Sequence, residues 1–334
     1  NDPNWSQRGS DIVGAATSNR FGYSVSLSSD GSILAVGATG GRGRAKVYEW
    51  NAVSWIQKGG DMDGEANSDY FGLSVSLSPN GNRLAVGAPY NDVGGTNAGQ
   101  VRVYEWIDPN WSLRGAPIVG DSSGGKFGYS VSLSYDGSIL AVGAPFNAGG
   151  GIARGRVKVY EWNTVSWIQK GGDMDGEADN DNLGNSVSLS WDGLTVAVGI
   201  PFSAGGGSGR GRVRVYEWDA ISWNQKGGDM NGEADFDHFG WLSVSLSWDG
   251  NKLAGAATPN DLGLGGPNAG RVYVYAWSGN AWNPVASAID GVAANDSFGY
   301  SVALSSDGTT VAAGAHFNDD NGANSGHVRV FHQY

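Results

Sequence analysis

Apolar and small polar residues alternate along short stretches of this chain, and the stretches recur. Phe21–Ser28 reads F-G-Y-S-V-S-L-S, and Phe127–Ser134 repeats it residue for residue. Alternation with a period of two predicts a strand. A second run follows, L-A-V-G-A, as at Leu84–Ala88 and Leu140–Ala144. It is apolar almost throughout, as in a strand covered on both faces. A third run, V-x-V-Y-E-W, stands at Val101–Trp106, Val157–Trp162 and Val213–Trp218. A short fourth run begins with Trp, at Trp55–Lys58, Trp167–Lys170 and Trp223–Lys226. Between the first and second runs sits Asp or Asn followed by Gly, as at Asp30-Gly31, Asn80-Gly81 and Asp136-Gly137. That pair supplies the left-handed residue of a tight hairpin.

The four-run unit is itself repeated. Phe-Gly recurs at Phe21, Phe71, Phe127, Phe239 and Phe298, with Leu183-Gly184 in the same place, at spacings of 50, 56, 56, 56 and 59 residues. Six copies of a four-stranded unit predict one all-β domain over residues 1–334, a six-bladed β-propeller. The serines of the first run suit its crowded inner strand. The sixth copy stops after its third run, Val328–Phe331, while Asp2–Gly9 matches the fourth-run segment Asp108–Gly115. The expectation is that the N-terminal strand completes the last blade and closes the ring, leaving only short protected edges.

Composition narrows the function. The chain has 334 residues with 56 Gly, 14 Trp and 13 Tyr, in keeping with many short strands and tight turns. No cysteine is present, so disulfides and thiol chemistry are excluded. A net charge of −12 repels phosphate backbones and anionic lipid, which argues against nucleic acid as a partner. No apolar run approaches a membrane span, so insertion is not expected.

The run Phe71–Ser78 followed by Leu84–Pro89 resembles FG-GAP repeats, which form the propeller of integrin α subunits and of many bacterial and algal surface proteins. The resemblance extends over all six copies and implies a propeller at a cell surface or outside the cell. In that family the first hairpin often carries a calcium loop, D-x-D-x-D-G-x-x-D. Here the corresponding Ser26–Gly31 has one carboxylate, too few for six to eight oxygen ligands. Trp191-Asp192 and Trp248-Asp249 look like the WD40 dipeptide, but they sit in the hairpin turn, where the first residue is variable.

In a blade, the loops from second to third strand and from fourth strand to the next first strand share one face. Long loops held by a rigid scaffold are where binding resides. Three copies place an acidic loop there, with Asp61, Asp63, Glu65 and Asp69, then Asp173, Asp175, Glu177, Asp179 and Asp181, then Asp229, Glu233, Asp235 and Asp237. An oxygen donor at every second residue is a pattern of calcium loops, and these residues are the candidate calcium ligands. The plainer reading is a solvated acidic turn. Trp pairs recur at Trp50/Trp55, Trp106/Trp111, Trp162/Trp167 and Trp218/Trp223, with Arg114 or a lysine nearby. They read either as inter-blade sugar sites or as cross-strand pairs covering the blade edge. Catalytic signals are thin. His238, His316, His327 and His332 lack metal-ligand spacing, and G-x-S-x-G is absent. No catalytic residue is assigned. The expectation is a non-enzymatic extracellular or cell-surface adhesion propeller that binds a protein or glycan through its acidic, loop-rich face. The alternatives are a lectin using the Trp/Arg sites and an enzyme at the mouth of the central channel.

Overall fold

The computed structural model describes residues 7–333 except 16, 261, 263, 264 and 321. Six antiparallel sheets stand in a ring, and no helix occurs among the described residues, so none there is long and apolar enough to cross a membrane. Blade 1 comprises Phe21–Leu27, Ile33–Ala38, Arg44–Trp50 and Trp55–Gln57. Blade 2 comprises Ser74–Leu77, Arg83–Ala88, Gln100–Ile107 and Asn110–Leu113. Blades 3, 4 and 5 repeat the plan from Ser130, Val187 and Val244, and blade 6 has Ser301–Leu304, Thr310–Ala315 and His327–His332. This is a six-bladed β-propeller.

One element differs from the sequence reading. The fourth strand does not end at Lys58. It breaks at Gly59-Gly60 and resumes as Met62–Asp63, which pairs with the same third strand, Arg44–Trp50. The cause is Met62, whose side chain is buried in the core. Met174 and Met230 do the same, so the first residues of each acidic loop are strand.

The serines of the inner strand join blade to blade. Ser24, Ser74 and Ser130 Oγ each donate at 2.8 Å to the carbonyl of the next blade's Phe-Gly glycine (for blade 4, Leu-Gly). Ser26 and Ser76 Oγ each accept from a backbone N–H of the next blade's inner strand, Leu77 at 2.9 Å and Leu133 at 3.0 Å. The glycine of L-A-V-G-A is needed where this backbone crosses, since a Cβ on Gly37 would overlap Gly72 O. Each seam from blade 1–2 to blade 5–6 then holds its own apolar core, in which Phe71, Phe127, Leu183, Phe239 or Phe298 is the plug.

The seam between blades 6 and 1 is built differently. Val25 is 62% and Val328 70% exposed, although their counterparts Val75 and Val101 are buried. Ala303 replaces the serine that would accept from Leu27 N–H. Residues 1–6 of the expected closing strand lie outside the described residues. Arg8 occupies the place of a fourth-strand terminus: its carbonyl accepts from Trp55 Nε1 at 2.9 Å, its guanidinium donates to Gly31 O at 3.0 Å, and it lies 4.7 Å from the Trp50 ring.

Candidate functional site

The rim of the central channel on the loop-rich face carries a collar of rings. Three columns of the repeat build it. The residue before Phe-Gly is left-handed in every blade: Arg20, Tyr70, Lys126, Asn182, His238 and Ser297 have φ between 49° and 56°. This geometry sends the Phe ring into the core while leaving its predecessor on the rim. The residue after Phe-Gly supplies Tyr23, Tyr129, Trp241 and Tyr300, and the turn after the second strand supplies Tyr90, Phe146, Phe202 and Phe317.

These groups touch in three clusters along the rim. Tyr70 and Tyr90 lie 4.8 Å apart, centroid to centroid. Lys126 Nζ lies 4.6 Å from the Tyr90 ring and 4.0 Å from that of Phe146, a double cation–π contact. Phe202 meets His238 at 4.8 Å and Trp241 at 5.8 Å. His316 lies 3.8 Å from Tyr300 and 3.7 Å from Phe317. Tyr23 is 53% and Phe317 46% exposed, so the collar presents apolar area to solvent.

Electrostatically the collar is muted. Burial, with Tyr23, Tyr90 and Tyr300 adding to it, pushes the Tyr129 phenol up to about 12. Burial lowers His238 and His316, which are therefore neutral imidazoles at neutral pH. Below the collar the channel forms a cavity of about 610 Å³ lined by the inner strands. Five of its serine hydroxyls, Ser24, Ser74, Ser130, Ser186 and Ser243, each donate to a backbone carbonyl of the next blade.

The candidate calcium ligands lie outside the collar, and each set is distributed among partners of its own. Asp61 and Asp63 both face Arg44, Asp173 and Asp175 both face Arg156, and Asp229 is shared by Arg212 and Arg214. Glu65, Glu177 and Glu233 reach across the seam to Arg102, Arg214 and Arg271 at 2.6, 2.9 and 2.7 Å. Asp179 and Asp235 pair with Arg154 and Arg210, which hold both carboxyls below the usual range. Asp69, Asp181 and Asp237 are buried and accept from the backbone N–H of Ala66, Ala178 and Ala234. Burial raises Asp237. Among the described residues no three His, Asp or Glu groups converge on a point where a metal would sit. Alternating carboxylates on this backbone meet alternating arginines rather than one another.

The Trp pairs lie at the other end of the blades, on the hairpin from third to fourth strand. Trp106 and Trp111 meet at 5.4 Å, and Trp50/Trp55, Trp162/Trp167 and Trp218/Trp223 match them. The preceding blade covers each pair. Trp111 Nε1 donates to Lys58 O and Trp167 Nε1 to Arg114 O, while Lys58 and Arg114 stack 4.7 and 4.9 Å from Trp106 and Trp162. A Cβ on Gly59 would come within 2.8 Å of the Trp106 ring. The chain itself thus packs against each pair, and the eight rings stay part-exposed.

Two groups of rings escaped the sequence reading. The collar was legible as columns beside each Phe-Gly and after each second strand. The other group is Tyr135, Trp191 and Trp248 on the opposite face. Tyr135 and Trp191 stack at 3.6 Å and 5°, and Trp191 meets Trp248 at 3.7 Å, so those turns close on themselves.

Comparison with known proteins agrees with this architecture. FG-GAP repeats are detected at residues 61–104 and 286–331, covering much of blades 2 and 6. The chain is thus a six-bladed propeller carrying FG-GAP repeats. Among curated proteins there is no significant match. Among solved structures, hydrazine synthase of Kuenenia stuttgartiensis superposes with a TM-score of 0.59 at 15% identity, over 93% of this chain and 78% of that one. A protein of Bacteroides uniformis assigned as a 6-phosphogluconolactonase gives 0.62 at 11% identity, over 94% and 81%. At such identities the likeness is one of fold.

Proposed function

We propose that this chain is a non-enzymatic interaction propeller of an extracellular or cell-surface protein, binding a protein or glycan partner through its loop-rich face. The observation that carries the reading is the exposed aromatic collar. Exposed apolar rings clustered on one face and rimmed by charge mark interaction surfaces. The rigid six-blade scaffold and its paired Arg–carboxylate rim pre-organise that face, which reduces the ordering cost of binding. FG-GAP repeats, detected in two blades, add weight to an extracellular setting. The collar's imidazoles are neutral and the channel serines are engaged, so neither supplies a ready nucleophile. Calcium is not required for this reading.

Beads coated with the chain are expected to adhere to cells of the producing organism or to their extracellular matrix. Phe146→Ser/Phe202→Ser/Phe317→Ser reduces that adhesion by at least about tenfold, the effect of losing roughly 1.4 kcal/mol. Val53→Ser/Val165→Ser/Ile221→Ser, on the opposite face, leaves it unchanged. Wild-type beads that adhere to neither material, or equal losses in both variants, would overturn the reading.

A further inference from the structure

Three departures from the repeat coincide at one place on the collar. Between blades 2 and 3 the rim is filled by Lys126, held between the rings of Tyr90 and Phe146. Between blades 5 and 6 the residue in the place of Lys126 is Ser297, and Pro259 stands where the earlier blades carry Tyr90, Phe146 and Phe202. One additional residue after Phe239-Gly240 gives Trp241-Leu242 where the repeat has a single rim residue. Two fillers are shortened and one wall is enlarged. The result is a cavity of about 380 Å³, walled by Trp241, Tyr300, His316 and Phe317, with Asn295 and Ser297 at its edge.

We propose that this cavity binds a neutral saccharide, with one pyranose ring laid against the aromatic wall. The inference rests on the loop-rich face being the binding face and names the ligand chemistry there. Volume fits a small-molecule site, which is concave, mostly apolar and furnished with a few polar groups. Charge selects a neutral ligand, because no Lys, Arg, Asp or Glu is among the described lining residues and burial keeps His316 uncharged. Polarity selects hydroxyls. Asn268 joins Asn295 and Ser297 in the lining, so amide and hydroxyl groups stand beside the rings. A few polar groups beside an apolar wall orient a ligand by hydrogen bonds. A sugar offers an apolar C–H face to rings and hydroxyls at its edge. A phenylalanine side chain would fill the walls and offer no hydroxyl to Asn295 and Ser297.

The test is saturation-transfer NMR with the whole chain and four probes: methyl glucoside, methyl galactoside, methyl mannoside and N-acetylphenylalanine amide. At least one glycoside is expected to receive saturation at its ring protons, and the amide none. Ser297→Lys places the blade 3 filler in the cavity at a backbone φ of 54°, the same as Lys126, and leaves the walls untouched. It is expected to weaken the glycoside signal by at least about tenfold, as is Trp241→Ala. Melting curves confirm that both variants are folded. Transfer to the amide instead of a glycoside, transfer to no glycoside, or equal transfer in Ser297→Lys would overturn the proposal. The two readings fail separately. Adhesive beads with no glycoside signal keep the binding face and remove the sugar. A glycoside signal without adhesion keeps the sugar site and removes attachment to cells and matrix.

Discussion

At the scale of single residues, short polar side chains beside glycines fix the hairpin turns of the blades. Asp30 is one such residue. Its Oδ1 accepts from Ser28 Oγ at 2.6 Å and from Ser32 N at 2.9 Å, fixing the first hairpin. The Ser28 hydroxyl, then the Ser32 N–H, hold the Asp30 carboxyl at about 2, below its ordinary 3.8. A carboxyl lowered by folding stabilises the protein above its unfolded pKa, and that contribution is lost as pH falls through the folded value. Asp307, held at about 2 chiefly by Ser305, repeats the arrangement. Acid denaturation therefore includes these two turns over the window from about pH 4 to pH 2. Asn80 fills the same role in blade 2 without a charge, accepting from Ser78 Oγ at 2.7 Å. Asp30→Asn/Asp307→Asn is accordingly expected to melt near the wild-type temperature at neutral pH and to lose less stability on acidification. Parallel melting-temperature curves across that window would contradict the assignment. The Asp-Gly turns were legible in the sequence because their cause is local. The stack of Tyr135 on Trp191 was not, because it arises only when turns of neighbouring blades meet.

At the scale of elements, what could be read followed from period and what could not followed from pairing across seams. The four strands were visible as alternation and apolar runs. The resumption of the fourth strand at Met62–Asp63 was hidden by two glycines and an acidic stretch that reads as loop. That stretch has a consequence for metal binding. Since Asp173 and Asp175 face Arg156 and Glu177 faces Arg214, calcium would have to displace arginines to gather ligands. Calcium is expected to shift the melting temperature no more than sodium chloride at matched ionic strength. A shift that grows with the logarithm of free calcium would instead support the calcium reading. The inner-strand serines give a second element-scale prediction. Ser76→Ala leaves Leu133 N–H without its acceptor, an expected loss of about 1–3 kcal/mol in denaturant unfolding. Ala303→Ser supplies the missing hydroxyl at the blade 6–1 seam and is expected to stabilise a closed ring by about 1 kcal/mol. No gain from Ala303→Ser would mean that Ala303 and Leu27 do not meet in solution.

At the scale of the whole molecule, six copies of one repeat fix the architecture, and departures from the repeat set the chemistry of its loop-rich face. The blade count was readable from the Phe-Gly spacing alone. The face proposed to bind was readable only in part: its loop length was visible, but its chemistry was not. Acidic residues dominate the loops by number, yet many of them are paired with arginines, while rings from three separate columns of the repeat converge at the rim. No single copy contains the collar, so it emerges only when the columns of all the copies are set side by side. The absence of cysteine makes this account directly testable, because one introduced thiol can be labelled uniquely. The deciding measurement compares adhesion of the intact chain carrying a bulky polyethylene glycol maleimide at Phe146→Cys, on the collar, or at Val53→Cys, on the opposite face. Both positions are open to the reagent, Phe146 at 36% and Val53 at 79% exposure. The account predicts that the label on the collar abolishes adhesion to cells and matrix, while the label at Val53→Cys leaves it intact. Adhesion that survives at the collar and is lost at Val53→Cys would place the binding face at the other end of the propeller.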